Sequence, residues 1–277
     1  MELEKPSCFG NWLSRTAVIC LTCKFKDECL KVTWATEKRQ KTKLHMYKEN
    51  RKSINWFVGC NHNCIYCIPS FQRQTKRRGK KCLKCYNYEP HAHLERLLKP
   101  PPKTQGKTFV FFPSSGDPAY ASAKEWKEAI SYTEKYSDVT FLVQSKDPIC
   151  FLPYKFPDNV ILDVTVETDL LSFNIKDCKY KYYSDISRAP YPIRRLSEFL
   201  KVKHKRKGIT IEPILAFGSK FASFIQPLNP EFVYVGYDNH NVKLPEPSLK
   251  KTLKLIEELK KFTEVRVKTL RRGWWEK

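Results

Sequence analysis

The alternation of apolar runs with helical patterns is the feature that most constrains the fold of this chain. Helical patterns occupy residues 121–136, 192–204 and 248–262, and Ser248 stands at the N-cap position of the last one. Strands that alternate with helices usually pair in parallel, with the helices outside the sheet. We therefore predict an α/β fold with six strands, which are rich in β-branched and aromatic residues and lie at 54–59, 108–113, 139–144, 159–166, 209–216 and 231–237.

Three cysteines follow the first predicted strand directly, in the run Cys60-Asn-His-Asn-Cys64-Ile-Tyr-Cys67. The C-x3-C-x2-C spacing suits three corners of an iron–sulfur cube and leaves one iron without a protein ligand, where a substrate or cofactor can bind. A zinc knuckle or buried thiols are the alternatives, but they explain neither the preceding strand nor the aromatic Tyr66. We interpret His62 as a hydrogen-bonding residue of the loop rather than as a ligand.

The cysteine run resembles the signature of the radical S-adenosylmethionine (radical SAM) superfamily, in which an aromatic residue precedes the last cysteine. The resemblance implies a partial (β/α)6 TIM-like barrel that carries a [4Fe–4S] cluster. It further implies that S-adenosylmethionine chelates the open iron and that an electron from the cluster cleaves it to a 5′-deoxyadenosyl radical. We expect the barrel core at 54–240, a Cys-rich metal-binding segment at 1–53, and a C-terminal helix with a basic, aromatic tail at 241–277.

The same resemblance predicts which residues contact the cofactor. The segment Ser114-Ser-Gly-Asp-Pro118 stands where the superfamily commonly has a Gly-Gly-Glu-like motif, and a simple Gly-Asp-Pro turn is the alternative. Two further carboxylates, Glu167 and Glu212, lie among apolar residues and need a cationic or hydrogen-bonding partner, either the cofactor or a structural salt bridge. The predicted cofactor contacts are Tyr66, Ser115, Gly116, Asp117 and Glu167.

A narrower resemblance covers about residues 54–240. The segments Val164-Thr-Val-Glu167, Glu212-Pro-Ile-Leu215, Val235-Gly-Tyr237 and 88–96 are similar to the phage-associated Gp37/Gp68 family of radical SAM proteins. Spore photoproduct lyase, a DNA-repair member of the superfamily, is a more distant functional comparison. The narrower resemblance bears on fold and cofactor more than on the reaction.

A second group of cysteines lies near the N-terminus, with C-x11-C-x2-C-x5-C spacing. Four thiolates can close a structural zinc site or ligate an auxiliary [4Fe–4S] cluster completely, and both interpretations stay open. The predicted ligands of this second metal centre are Cys8, Cys20, Cys23 and Cys29.

The remaining cysteines outside these two groups are one closely spaced pair and two isolated residues. Cys82 and Cys85 precede two histidines, His91 and His93, and the group could bind zinc, although the H-x-H spacing is short. A disulfide or free thiols are the alternatives for that pair. The isolated cysteines are predicted to be buried small hydrophobes, one of which could donate hydrogen to a substrate radical; they are Cys150 and Cys178.

The charge balance predicts a polyanionic partner. The chain has 51 Lys and Arg against 29 Asp and Glu, a net charge of +22. Basic residues concentrate at 73–84, at 201–207 and at Arg271-Arg272. Nearby aromatic residues could stack on bases, so we expect DNA or RNA as a partner, and a solvated Lys-rich surface is the alternative. The aromatic residues in question are Phe71, Tyr86, Tyr88, Trp274 and Trp275.

The lengths of the apolar runs and the N-terminal sequence argue against a membrane-spanning or secreted protein. No apolar run approaches the roughly 20 residues that span a bilayer, and the acidic N-terminus is unlike a signal peptide, so we expect a cytoplasmic protein. The leading hypothesis is a radical SAM enzyme that modifies or repairs a nucleic acid or nucleotide-derived substrate with an electron-donor protein. A radical SAM enzyme for a peptide or small metabolite is the second hypothesis, and a non-enzymatic, zinc-stabilised nucleic-acid-binding protein is the third.

Overall fold

The computed structural model describes residues 47–67 and 82–276, and the described residues from Glu49 onward form one compact unit. Seven parallel strands pair in the order in which they follow each other along the chain and form an open, curled sheet, a partial TIM-like barrel. Two more strands, β2 and β3, form a separate antiparallel pair. The described strands are β1 (Asn50–Ser53), β2 (Phe57–Val58), β3 (His91–Ala92), β4 (Phe109–Phe111), β5 (Phe141–Ser145), β6 (Val160–Thr165), β7 (Lys207–Ile211), β8 (Phe232–Val235) and β9 (Glu264–Val267).

Helices connect most neighbouring strands of the sheet, as the alternating pattern predicted. Ser122 and Glu125 form a reciprocal capping box at the start of the second helix. The hydroxyl of Ser248 accepts a 3.2 Å hydrogen bond from the backbone N–H of Lys251, which confirms the predicted N-cap of the last helix. The described α-helices are α1 (Leu83–Asn87), α2 (Ala123–Lys135), α3 (Pro192–Lys201), α4 (Phe221–Ile225) and α5 (Leu249–Leu259).

The inner strands of the sheet are buried on both faces. Every residue of β4, β6, β7 and β8 is buried, which explains why β4 and β8 appear in the sequence as continuous apolar runs rather than as alternating patterns. Each fully buried Val, Ile or Phe of these strands contributes about 1.5–3 kcal/mol relative to an exposed position. The core of the described fold therefore lies between this sheet and the helices around it.

Two edge strands differ from the sequence prediction. The first strand of the sheet is β1, within the segment expected to precede the barrel, whereas residues 54–59 contain only the short strand β2. The seventh strand, β9, was missed because only four residues pair and its Glu264 is exposed. Edge strands bury one side only and carry polar residues, so apolar patterning does not detect them. The sheet therefore extends across the expected boundaries after residues 53 and 240.

None of the described helices has the length and apolar character that a membrane span requires.

Candidate functional site

The cysteine loop, residues 60–67, starts at a tight backbone contact with the segment that follows β4. Gly59 forms a parallel bridge with Gly116: its N–H donates to the Ser115 carbonyl at 3.1 Å, and its carbonyl accepts from the Asp117 N–H at 3.1 Å. Gly59 has a positive φ of 93°, and a Cβ there would lie 2.2 Å from the carbonyl oxygen of Glu89. No other residue fits this position without displacing the backbone, so glycine sets the start of the loop.

The predicted cofactor segment lies directly beside this start. A Cβ on Gly116 would lie 2.8 Å from the carbonyl oxygen of Gly59, so two backbones approach each other at this point. The Asn55 side-chain oxygen accepts from the N–H groups of Ser114 and Ser115 at 2.8 and 2.9 Å. The structure thus brings Ser115, Gly116 and the cysteine loop together at the carboxyl end of β4.

The three loop cysteines share one buried environment. Cys64 is 5% exposed, packs in the apolar cluster that includes Phe173 and Tyr183, and its Sγ lies 3.0 Å from Ser187 Oγ. Burial raises the pKa of the Cys67 thiol to about 12, and Cys64 adds to the shift. Burial, Asp117 and the other two loop thiols raise the pKa of Cys60 well above its usual range. One buried and two partly buried thiols that oppose each other's ionisation are a donor set that a multivalent cation would stabilise as thiolates.

Tyr88 also lies close to the loop cysteines. It ends α1 in the left-handed conformation, with φ 60°, and its side chain forms a hydrogen bond with Cys67. Burial, followed by the charges of Cys67 and Cys60, raises the pKa of its hydroxyl well above the usual range. The sequence analysis considered Tyr88 for base stacking, whereas the structure buries its hydroxyl among the loop cysteines.

A histidine–aspartate pair holds the loop against the sheet. His62 Nε2 donates to Asp117 Oδ2 at 3.0 Å, and His62 Nδ1 lies 3.0 Å from the hydroxyl of Tyr120. The Asp117 carboxylate also accepts from Ser145 Oγ at 2.6 Å and from the Lys146 N–H at 2.9 Å, at the end of β5. Burial acts to raise the pKa of Asp117, but the hydrogen bonds, led by that from His62, outweigh it and lower the pKa.

These contacts bear on two predictions. Both ring nitrogens of His62 are engaged, which agrees with its interpretation as a hydrogen-bonding residue of the loop, although its ring lies near Cys60 and Asp117. The carboxylate of Asp117 is engaged by protein donors, so its predicted contact with a cofactor stays a prediction.

Glu167, two residues beyond β6, is fully buried and is the centre of a charge network. Its Oε1 accepts from the Tyr66 hydroxyl at 2.5 Å and from the ammonium of Lys146, and its Oε2 accepts from Arg195 at 2.8 Å. The Tyr183 hydroxyl lies 3.3 Å from both oxygens. Burial acts to raise the pKa of Glu167, but Arg195 and Lys146 outweigh it and lower the pKa to about 2. The cationic partners of Glu167 therefore include two from the protein itself, and Glu212 likewise pairs with Lys268.

Sequence reasoning missed the residues that complete this network. Lys146 follows β5, its ammonium lies 4.7 Å from the centre of the Tyr66 ring, and Cys64 and Glu167 raise its pKa against the effect of burial. Arg195 lies on α3 and is fully buried. In the sequence, only Lys146 carried a signal that could have identified it as a site residue. It lies just beyond a predicted strand, and functional groups collect at the carboxyl ends of strands in parallel sheets.

The other cysteines occupy separate places. The side chains of Cys82 and Cys85 converge with His91 and His93. Cys150 lies beside Ser145, and Cys178 is buried with its Sγ 3.6 Å from the carbonyl oxygens of Tyr180 and Lys243. The predicted N-terminal ligands lie outside the described residues; they are Cys8, Cys20, Cys23 and Cys29.

Comparison with known proteins found a distant structural similarity and no match by sequence. No family model matches the chain, and no curated protein matches it. The chain is similar to the crystal structure of Streptococcus suis SuiB bound to S-adenosylmethionine, with a TM-score of 0.45 and 10% sequence identity. The similarity covers 89% of this chain, which spans 56% of the length of that structure.

The described parts of the basic clusters are partly neutralised within the fold. Lys207 is buried and donates to the Phe199 carbonyl at 2.9 Å, and Arg206 pairs with Glu231 at 2.7 Å. Arg271 pairs with Glu246, whose carboxylate is fully buried. Residues 73–81 and Phe71 lie outside the described residues.

Two of the predicted stacking residues are also tied to the fold. The indole N–H groups of Trp274 and Trp275 donate to the carbonyls of Leu244 and Glu246, at 2.6 and 2.8 Å. Tyr86 is 44% exposed. DNA or RNA as a partner therefore stays a prediction.

Proposed function

We propose that this protein is a radical SAM enzyme that holds a [4Fe–4S] cluster on Cys60, Cys64 and Cys67. The observation that carries the proposal is the convergence of one buried and two partly buried thiols in one loop at the carboxyl edge of a parallel sheet. The other cysteines in 47–67 and 82–276 have other neighbours, so the described residues supply three thiolates to this site. Such a donor set suits a cluster with one iron open to a cofactor.

The chain's own residues would support this cluster in distinct ways. Lys146 brings a positive charge next to the thiolates of Cys64 and Cys67, and Glu167 pairs with both Lys146 and Arg195. Tyr88 donates a hydrogen bond to Cys67, and His62 with Asp117 anchors the loop to the ends of β4 and β5. Burial in the apolar cluster around Cys64 limits access of water.

The cofactors and their contacts follow from the same proposal. A reduced cluster would supply one electron for the cleavage of S-adenosylmethionine to 5′-deoxyadenosine, so the enzyme needs an electron-donor protein as a partner. Tyr66, Ser115, Gly116, Asp117 and Glu167 remain the predicted contacts of S-adenosylmethionine. The cytoplasm, as a reducing compartment, suits free thiols and an oxygen-sensitive cluster.

An anaerobic assay tests the proposal. Full-length protein is reconstituted with iron and sulfide, reduced with dithionite, and supplied with S-adenosylmethionine. We expect iron and sulfide in the amounts of at least one [4Fe–4S] cluster and formation of 5′-deoxyadenosine. The Cys64→Ala variant should lose the product, and the Cys178→Ala variant should retain it. Equal product from the wild type and Cys64→Ala would reject the proposal, as would colourless protein containing zinc alone.

The rim of the site favours an anionic substrate, in line with a nucleic acid or a nucleotide-derived molecule. Residues 170–191 pack on the cysteine loop through Phe173, Tyr183 and Ile186. The same segment exposes Tyr182 and Tyr191, with 60% and 46% of their surface accessible. Its exposed charges include more basic than acidic residues: Lys176, Lys179, Lys181 and Arg188, against Asp177 and Asp185.

Salt-dependent binding distinguishes this substrate class from a peptide or small metabolite. Phosphate contacts predict a steep loss of affinity for single-stranded DNA or RNA as salt rises. Replacing Lys176, Lys179 and Lys181 together with alanine should weaken binding and reduce the salt slope. The matched triple variant of exposed lysines outside this segment should not; it replaces Lys250 and Lys254 of α5 and Lys261 after it. Absence of binding by the wild type at low salt would favour the peptide or metabolite hypothesis.

A further inference from the structure

Four side chains outside the cysteine loop converge in a second cluster. His91 Nε2 lies 3.4 Å from Cys82 Sγ and 3.3 Å from Cys85 Sγ, and His93 Nε2 lies 3.0 Å from Cys85 Sγ. All four ligand atoms lie within 4.8 Å of one another. Ligands at about 2.0–2.3 Å from a tetrahedral zinc ion are separated by roughly 3.3–3.8 Å, so the cluster has nearly the size of such a site.

Local structure explains how these four residues meet. Cys85 lies on α1 and Cys82 directly precedes that helix, so they are one helical turn apart. His91 and His93 flank Ala92, and His91 belongs to β3. In extended backbone, the side chains of residues two apart point to the same side. The H-x-H spacing therefore aligns the two rings, although in the sequence analysis this short spacing counted against a metal site.

The hydrogen-bond partners of the histidines determine where their protons lie. His91 Nδ1 is 2.7 Å from the carbonyl oxygen of Glu89, and His93 Nδ1 is 2.7 Å from the carboxylate of Glu95. Both partners are acceptors, so each Nδ1 carries the proton and each neutral ring presents a lone pair at Nε2. The two Nε2 atoms face each other at 2.9 Å, an arrangement that repels unless a cation lies between the lone pairs and the adjacent thiols.

We propose that Cys82, Cys85, His91 and His93 bind a structural zinc ion. Two thiolates and two imidazoles are a donor set that zinc prefers, and four protein ligands close the coordination sphere, as in structural rather than catalytic sites. The carbonyl of Glu89 and the carboxylate of Glu95 supply the outer hydrogen bonds that usually orient metal-bound histidines. This inference does not depend on the proposed radical chemistry.

The proposed zinc site lies in the segment that packs against the cysteine loop. β3 pairs with β2, and the His93 N–H donates to the Trp56 carbonyl at 2.6 Å. Between the two pairs of ligands, Tyr88 reaches Cys67 and the Glu89 backbone closes over Gly59. Zinc would therefore fix the segment 82–93, which forms one wall of the cysteine loop.

The first test is a difference in zinc content. Full-length wild type, His91→Ala/His93→Ala and the control His204→Ala are purified anaerobically with reductant, and metals are counted by elemental mass spectrometry. The part-buried ring of His204 forms a hydrogen bond with the Val160 carbonyl, away from the four proposed ligands. The double variant should contain one zinc ion per chain less than both other proteins. Because the N-terminal cysteines could hold zinc as well, the difference and not the total is decisive. Equal zinc in all three proteins would overturn the proposal.

A second variant guards against loss of metal through misfolding. His93→Cys keeps four ligands, so it should retain zinc, and its cobalt(II) form should show a stronger thiolate-to-cobalt charge-transfer band than the wild-type cobalt form. An unchanged cobalt spectrum would contradict ligation by this residue. A Cys82–Cys85 disulfide in the reduced, anaerobic wild type, detected by peptide mass, would also overturn the proposal. The zinc difference is read independently of iron and 5′-deoxyadenosine, so either proposal can fail alone.

Discussion

The Tyr66 hydroxyl donates a 2.5 Å hydrogen bond to Glu167 Oε1 and so joins the cysteine loop to the carboxyl end of β6, across 101 positions of the sequence. Tyr66 is the aromatic residue that precedes the last cysteine of the loop. Its hydroxyl is engaged with a carboxylate that also binds Lys146 and Arg195. The loop is therefore tied to the sheet through a charged network as well as through apolar packing.

Removing the charge of Glu167 should destabilise the protein strongly. Glu167→Gln leaves the buried Arg195 and the largely buried Lys146 without their anion, and losing one partner of a buried ion pair costs about 3–5 kcal/mol. Glu231→Gln breaks a half-exposed pair with Arg206 and should cost less than about 1 kcal/mol. Urea unfolding measures both, and equal costs would show that the Glu167 network contributes no more than a surface pair.

Asp163 should make the stability of the protein depend on pH. Burial raises the pKa of this β6 residue to about 7, although hydrogen bonds from Gln144 and Thr210 oppose the shift. The folded state then binds a proton that the unfolded state, with a pKa of 3.8, has released, so stability falls as the pH rises from about 4 to about 7.

The Asp163→Asn variant removes this titration. We expect its free energy of unfolding to lack that part of the decline, on the order of 1–4 kcal/mol, whereas Asp138→Asn, at an exposed position, should keep the wild-type profile. Unfolding by urea at several pH values measures the slope. Parallel profiles for the wild type and Asp163→Asn would show that the carboxyl titrates normally.

Gly59→Ala should destabilise the protein by more than the strain of a positive φ alone would cause. The new methyl group would lie 2.2 Å from the Glu89 carbonyl, in addition to the strain of a φ of 93°. Gly106→Ala is a matched control, since Gly106 also has a positive φ, 56°, but no atom lies within 4 Å of the added Cβ. The control should lose about 1 kcal/mol, and Gly59→Ala should lose clearly more and also retain less iron after reconstitution. Equal losses in both would indicate that the close approach to Glu89 is relieved at little cost.

Tyr88→Phe should change the redox properties of the proposed cluster without removing it. The hydroxyl forms a hydrogen bond with Cys67, and hydrogen bonds to cluster sulfurs raise the reduction potential. The variant should keep its iron and show a potential that is lower by roughly tens of millivolts. Tyr86→Phe, at an exposed position of the same helix, should leave the potential unchanged. A redox titration followed by electron paramagnetic resonance measures the shift, and identical potentials for all three proteins would exclude Tyr88 from the cluster's surroundings.

The parts of the fold that depend on local pattern were predictable. The helix at 249–259 was located from its apolar spacing and its Ser248 cap, and the inner strands from continuous apolar runs, because buried elements must bury the same face at every turn or pleat. The edge strand β1, Asn50–Ser53, escaped because its two central residues are exposed and charged.

The sequence by itself determined that three closely spaced thiols follow an apolar stretch, and that Glu167, placed among apolar residues, needs a partner. Only the tertiary structure decided that Lys146 and Arg195 are among its partners, and that Cys82 and Cys85 face His91 and His93. The physical reason is the range of the interactions. Helix caps and strand periodicity act between neighbours in the chain, whereas ion pairs and ligand clusters join residues that become neighbours only when the sheet and loops have packed.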